Sequence, residues 1–565
     1  MLSEALRRSS TLALLLLAPV ASAGILYVDD DLTTGLNDGS SWADAFQGPD
    51  ALQTALGAVV AGDQIFVAEG TYLPSATGTR TNRFLLHNDV EIYGSFLGTE
   101  SSPAERPPFG TAPSVLLGDL AGDDGSNMFN DNSYHLLGGN GTNASAVLDG
   151  FVVTGGNANG AGNNDKGGGI LLLNGASPTV RNCRFVGNRC TFGGGAGYIN
   201  GSAPSFTDCT FEDNLGGAFG GAFDIANAGA VRFDRCLFEG NSAARAGALE
   251  VFSSNGVVVT NSVFRGNTAT GASGGGGLWI GSGSNTLLRY CTVVDNHATN
   301  QTAGGLRVQS ASPTIVGVIF WDNSGSGGAQ GSANQVTGSA NVTYSIVEGG
   351  FTGTGNLSGD PQFTDIGAGD YSLTIASPGI DAGDNSAVPA GIVLDFAQNA
   401  RFIDEPGVAD TGNGSAPIVD IGAFEFQGAQ GGVGTNYCTS SANSTGAAAT
   451  ISASGSASLA ANDLVLSADN HPGQPGIFIA GPAQAQLPFF NGFLCIDPNG
   501  LQRFAAVALP VGGVATEAVD YATSAPGGLN VMAGTAFHYQ RWFRDPAAGG
   551  SNADFTDGLE VQHTP

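Results

Sequence analysis

Lysine is almost absent from this chain. Lys166 is the only one in 565 residues, and lysine plus arginine number 19 against 49 aspartates and glutamates. A formal charge of -30 repels phosphate backbones, so nucleic acid is not an expected partner. Long apolar runs are lacking as well: the run from Leu12 to Val20 is too short to span a bilayer, and no later stretch reaches the ~18 residues needed. The six histidines show no metal-ligand spacing, and no Cys/His or Ser/His/Asp motif is present. Charged residues are only 12% of the chain, whereas glycine supplies 89 residues. Glycine loses too much entropy inside helices for this to be a helical bundle or coiled coil, and many short strands with tight turns are expected instead.

The N-terminus reads as a processing signal. Arg7 and Arg8 precede the apolar run, and Ala21-Ser22-Ala23 supplies the small-x-small pattern of a cleavage site. Residues 1–23 are therefore expected to be a signal peptide, leaving Gly24 first in a secreted or cell-surface protein without a transmembrane segment. Seven cysteines in an exported chain leave at least one thiol unpaired within it.

Internal repeats decide the architecture. Asn188, Asn214, Asn241, Asn267, Asn296 and Asn323 recur at intervals of 26, 27, 26, 29 and 27 residues. Phe185, Phe211, Phe238, Phe264, Val293 and Phe320 lie three residues before them, and Cys183, Cys209, Cys236, Ser262, Cys291 and Val318 lie five before. Columns sharing one period make each repeat a rung of a solenoid, with equivalent residues stacked about 4.8 Å apart. Phenylalanine fills the interior, cysteine acts as a small apolar filler, and asparagine forms a ladder of hydrogen bonds. The expected fold is all-β: a right-handed parallel β-helix over residues 24–426.

After each ladder asparagine, a glycine-rich stretch leads into a short strand. Alternation sends Phe223, Leu249, Leu278 and Leu306 inward and Leu171, Tyr198, Asp224, Glu250, Trp279 and Arg307 outward.

With the repeat in view, the chain resembles the pectin-lyase-like β-helix superfamily, and more narrowly the bacterial exported proteins with a choice-of-anchor Q domain. The narrower likeness rests on Tyr27-Val28-Asp29-Asp30-Asp31, Ser41-Trp42-Ala43-Asp44-Ala45 and Ala68-Glu69-Gly70-Thr71-Tyr72 at the start. At the end it rests on Gly359-Asp360-Pro361-Gln362-Phe363, Ser377-Pro378-Gly379-Ile380-Asp381-Ala382-Gly383 and Val419-Asp420-Ile421-Gly422-Ala423-Phe424-Glu425. It covers about residues 25–427 and implies the fold. It does not imply one activity, because this fold hosts lyases, hydrolases and adhesins alike.

Residues 427–434 read as a flexible linker, and short apolar or alternating runs across 435–565 predict a small C-terminal β-sandwich. Its only cysteines, Cys438 and Cys495, are expected to form a disulfide. The C-terminal pattern is similar to modules that end planctomycete-type exported proteins.

The outward column is the sharpest functional candidate. Asp224 and Glu250 on adjacent rungs form a carboxyl pair of the kind a retaining glycoside hydrolase uses. Tyr198 and Trp279 flank them as platforms for sugar rings, and Arg307 could hold a substrate carboxylate. The resemblance implies that this sheet carries the substrate groove. Against catalysis, the Gly-His-Gly and Asn-Thr-Asp patterns of polygalacturonase-like members are missing, only Arg245 or Arg307 is evident as a base for a lyase, and few insertions are long enough to build walls. An ordinary solvated strand face would look much the same. Noncatalytic binding of polysaccharide or another surface component is therefore the leading expectation, with a hydrolase or lyase using an exposed Asp224/Glu250 face, or a structural envelope protein, as alternatives. No cofactor is required. Asp119, Asp123 and Asp124, and separately Asp29-Asp30-Asp31, could bind Ca²⁺ but read more simply as turn-forming aspartates, and by the same logic Asp381, Asp384, Asp395 and Asp420 in the closing segment are expected to be turn-forming or structural-ion positions.

Overall fold

The computed structural model describes residues 23–564 except 301–302, 329–330, 406, 428–432, 508 and 511–512. The expected signal peptide, apart from Ala23, and most of the expected 427–434 linker lie outside the described residues.

A single rung shows how the sequence turns its corners. Thr179–Arg181 is extended, Asn182 adopts φ 51°, Arg184–Val186 is extended again, and Gly187 at φ 66° makes the next corner before Asn188. A left-handed residue between two strands bends the chain sharply at little steric cost for asparagine, aspartate or glycine. Asp208, Arg235, Asn261, Tyr290 and Gly317 occupy the Asn182 corner in the following rungs, all at positive φ.

Stacked rungs make three parallel sheets of eleven, ten and nine strands. The first runs from Ile25–Val28 to Asn341–Thr343, the second from Gly70–Tyr72 to Ile346–Val347, and the third from Phe84–Leu85 to Val336–Thr337. This is the expected right-handed parallel β-helix. Its core is continuous, with the Phe238 and Phe264 rings stacked at 4.4 Å and all five cysteines outside the C-terminal unit buried as free thiols. The ladder forms as the period requires. Asn241 Oδ1 accepts from both the backbone N–H and the side-chain amide of Asn214 at 3.0 Å, and Asn214 Nδ2 also donates to Phe185 O at 2.9 Å. The ladder amides are thereby satisfied by the neighbouring rungs.

The helix Ala51–Ala58 lays Leu52, Ala55 and Leu56 into the same core. Beyond residue 357 the chain runs back over the outer faces of the rungs. Ile380, Ala382 and Ile421 pack on Ile319 and Ile346, and Tyr371 packs with Val263 and Val294.

Residues up to Gln427 form one compact unit and those from Gly428 onward a second. In the second, Gly476–Gly481, Ala536–Arg544 and Gly558–Gln562 belong to a six-stranded antiparallel sheet. Thr450–Ser454, Val465–Asp469 and Ala515–Ala518 make a three-stranded one. Ile451 and Leu466 from the small sheet share a core with Phe478, Tyr539 and Leu559 from the large one, which makes the unit a sandwich. Cys438 and Cys495 are disulfide-bonded.

Candidate functional site

Strand register in the third sheet aligns Leu171, Tyr198, Asp224, Glu250, Trp279 and Arg307 in one column, each the direct partner of the next. All six project away from the solenoid core, as alternation demands. The expectation of an exposed strand face is corrected here. Asp224 is only 4% exposed, Glu250 1% and Trp279 3%.

The glycine-rich stretches cause this burial. Rather than staying at the corner, they fold over the outer face and carry Phe192, Phe219 and Arg245 above the column. Only glycine fits beneath them: a Cβ at Gly220 would sit 1.7 Å from the Phe223 carbonyl oxygen, and one at Gly193 would sit 2.3 Å from Asp224 Oδ2. Walls thus arise within the ordinary repeat length, without the long insertions that the sequence was expected to need.

The result is a pocket of about 350 Å³ lined by Phe192, Tyr198, Phe219, Asp224, Arg245 and Glu250, with Ala226, Asn227 and Phe252 at its sides. Phe192 and Phe219 meet edge to face at 4.6 Å. Arg245 donates to Glu250 Oε1 at 2.7 Å, and its guanidinium lies 4.4 Å from the Phe219 ring and 4.7 Å from that of Trp279. Lys166, paired with Asp165, stands 4.4 Å over Phe192.

Burial dominates the electrostatics. It pushes Asp224 up to about 7, against the charges of Arg245 and Lys166. It also pushes Glu250 up to about 8, with the charge of Asp224 adding to the rise and Arg245 opposing it. Glu250 Oε2 is buried with no hydrogen-bond partner. The two carboxyls therefore retain a proton near neutral pH, and side by side they offer both a donor and an acceptor.

The solenoid itself is similar to known proteins at the level of fold. Residues 120–261 and 220–364 match the family described as "Right handed beta helix region". The crystal structure of pectate lyase Pel9A is similar over 72% of this chain and 97% of that one, at 13% identity and a TM-score of 0.41. No curated protein matches the chain.

Of the residues singled out from sequence, Tyr198, Asp224 and Glu250 come together in the pocket. Trp279 lies beneath Arg245 with its indole over Gly281, and Arg307 follows it in the column outside the lining. Phe192, Phe219 and the pocket role of Arg245 went unread. Their signal is positional: Phe219 and Arg245 each precede an outward carboxylate by five residues, and Phe192 precedes Tyr198 by six.

Asp119, Asp123 and Asp124 also gather, with carboxylate oxygens within 4.8 Å of one another. Asp119 already accepts from the backbone N–H groups of Gly122, Asp123 and Asp124, in the manner of a turn-forming aspartate. Asp30 likewise accepts from Thr71 N–H at 2.9 Å, and Asp29 from Asp31 N–H at 3.2 Å. Among the described residues, no helix is long and apolar enough to cross a membrane.

Proposed function

We propose that this is an exported protein of the choice-of-anchor Q type that binds polysaccharide, or another glycan-bearing surface component, at the pocket over Asp224 and Glu250 without cleaving it. The observation that carries this reading is the pocket itself: aromatic walls around a carboxyl pair that holds a proton near neutrality. Sugar hydroxyls need a donor and an acceptor together, and sugar ring faces pack on aromatic side chains. Glu250 is 1% exposed and its Oε1 is engaged by Arg245, so Glu250 does not stand free to attack a ring carbon. The C-terminal sandwich is assigned to attachment or export.

Hydrolysis is the second reading, and one observation favours it. Asp224 and Glu250 are direct partners on neighbouring strands, about 4.8 Å apart along the sheet, close to the separation of about 5–5.5 Å between the carboxyl groups of retaining glycosidases. The higher-titrating Glu250 would then be the acid and Asp224 the nucleophile.

Gly24 to Pro565 should be titrated calorimetrically with neutral and acidic polysaccharides while reducing ends are assayed in parallel. Binding that weakens in Asp224→Asn, with no reducing ends released, supports the proposal. Release that disappears in Asp224→Asn makes the pocket an active site instead, and neither binding nor release removes the pocket as a glycan site.

A further inference from the structure

Two kinds of aspartate share the segment that closes the solenoid. Asp395 and Asp420 spend both oxygens on backbone N–H groups, and the half-buried Asp384 spends one. Asp384 accepts from Ser386 at 3.0 Å, Asp395 from Asn399 and Glu425 at 2.8 and 3.0 Å, and Asp420 from Asp381 and Phe426 at 2.8 and 2.5 Å. These are turn-forming residues.

Asp381 is different. It is fully buried at 0% exposure, yet only Oδ2 is engaged, by the Glu405 N–H at a long 3.3 Å, and Oδ1 has no hydrogen-bond partner at all. A buried acceptor left unpaired is costly, and native structures seldom keep one without an ion, a water or a functional reason. Asp404 and Asp410 stand exposed beside it, and one carboxylate oxygen from each of the three lies within 4.8 Å of the others. Two oxygens bound to one Ca²⁺ at about 2.3–2.6 Å can be at most ~5 Å apart, so one ion can span the set.

We propose that Asp381, Asp404 and Asp410 form a Ca²⁺ site, with Asp381 the buried ligand at its base and the other two closing over the ion from the surface. The ligands are all carboxylate oxygens, without His or Cys, which suits a hard cation; their irregular spacing suits calcium better than the strict octahedron of magnesium. The Asp381 carbonyl oxygen already accepts from Thr411 and Gly412 N–H at 2.9 and 3.1 Å. An ion on its side chain would fasten Asp404 and Asp410 at the same point, and with them the closing segment that packs on the rungs at Ile319 and Ile346.

Chelator-treated Gly24 to Pro565 should be titrated with CaCl₂ by calorimetry, beside Asp404→Asn, Asp410→Asn and, at the other carboxylate cluster, Asp119→Asn. Asp404 and Asp410 are exposed, so their variants keep the fold and leave the protein testable. The expected result is a binding isotherm in the parent chain that weakens about tenfold or more in Asp404→Asn and Asp410→Asn and is unchanged in Asp119→Asn, together with a Ca²⁺-dependent rise in the melting temperature that those two variants lose. Equal affinity in all four proteins, loss in Asp119→Asn alone, or no binding at millimolar Ca²⁺ would each overturn the proposal.

Discussion

At the scale of single residues, burial has turned an acidic pair into a proton store. Asp224 rises from 3.8 to about 7 and Glu250 from 4.5 to about 8, so the folded chain holds protons that the unfolded chain releases at lower pH. Their contribution to stability is full below about pH 4 and is lost as pH rises through 7 and 8, beyond which both states are ionised. For Asp224 the loss amounts to about 4 kcal/mol at most. Asp224→Asn should flatten the fall in urea midpoint between pH 5 and pH 8; a variant as pH-dependent as the parent would place the proton elsewhere. Arg245 is the counterpart of this pair. Arg245→Ala leaves Glu250 buried without a cation and removes the guanidinium that joins Phe219 to Trp279. We expect a destabilisation of about 1–3 kcal/mol near neutral pH and weaker glycan binding, both read from equilibrium unfolding and titration of the same preparation.

At the scale of elements, the pocket wall depends on glycines that admit no side chain. A Cβ at Gly221 would lie 2.0 Å from the Gly247 carbonyl oxygen and 2.6 Å from Ser242 N, both backbone atoms of the next rung that no rotamer change can move. Gly221→Ala should cost about 3 kcal/mol or more and disrupt the pocket. Gly201 offers a comparison: it has φ 61° but nothing within 4 Å of its would-be Cβ, so Gly201→Ala should cost only about 1–2 kcal/mol. Thermal melts of the two variants side by side measure the difference. The strands and ladder were legible in the sequence because each rung repeats the same contacts with its neighbour, so a column of Asn or Phe stands for a column in space. The glycine-rich stretches carry no such alternation, and their path over the third sheet could not be read from period alone. For that reason Asp224 and Glu250 were found while Phe192, Phe219 and Arg245 were not placed beside them.

At the scale of the whole molecule, two units differ in how they are held. The solenoid relies on stacking and keeps its five cysteines as free thiols, whereas the sandwich closes a separation of 57 residues with Cys438–Cys495. A loop of that length is stabilised by about 4 kcal/mol on the chain-entropy account. Scanning calorimetry of Cys438→Ser/Cys495→Ser should therefore lower the transition of the C-terminal unit and leave that of the solenoid in place. A shift of both transitions would mean that the units unfold together.

The sequence by itself determined the period, the inward phenylalanines, the asparagine ladder and the second module, because these follow from local geometry repeated at a fixed interval. It also singled out Tyr198, Asp224 and Glu250, since alternation alone says which residues leave the core. Only the tertiary structure decided that this outward column is buried, that the carboxyl pair lies in a walled pocket under Arg245, and that Asp381 meets Asp404 and Asp410. Those arrangements depend on segments that cross the rungs without sharing their period, and their positions are set by packing against surfaces distant in sequence.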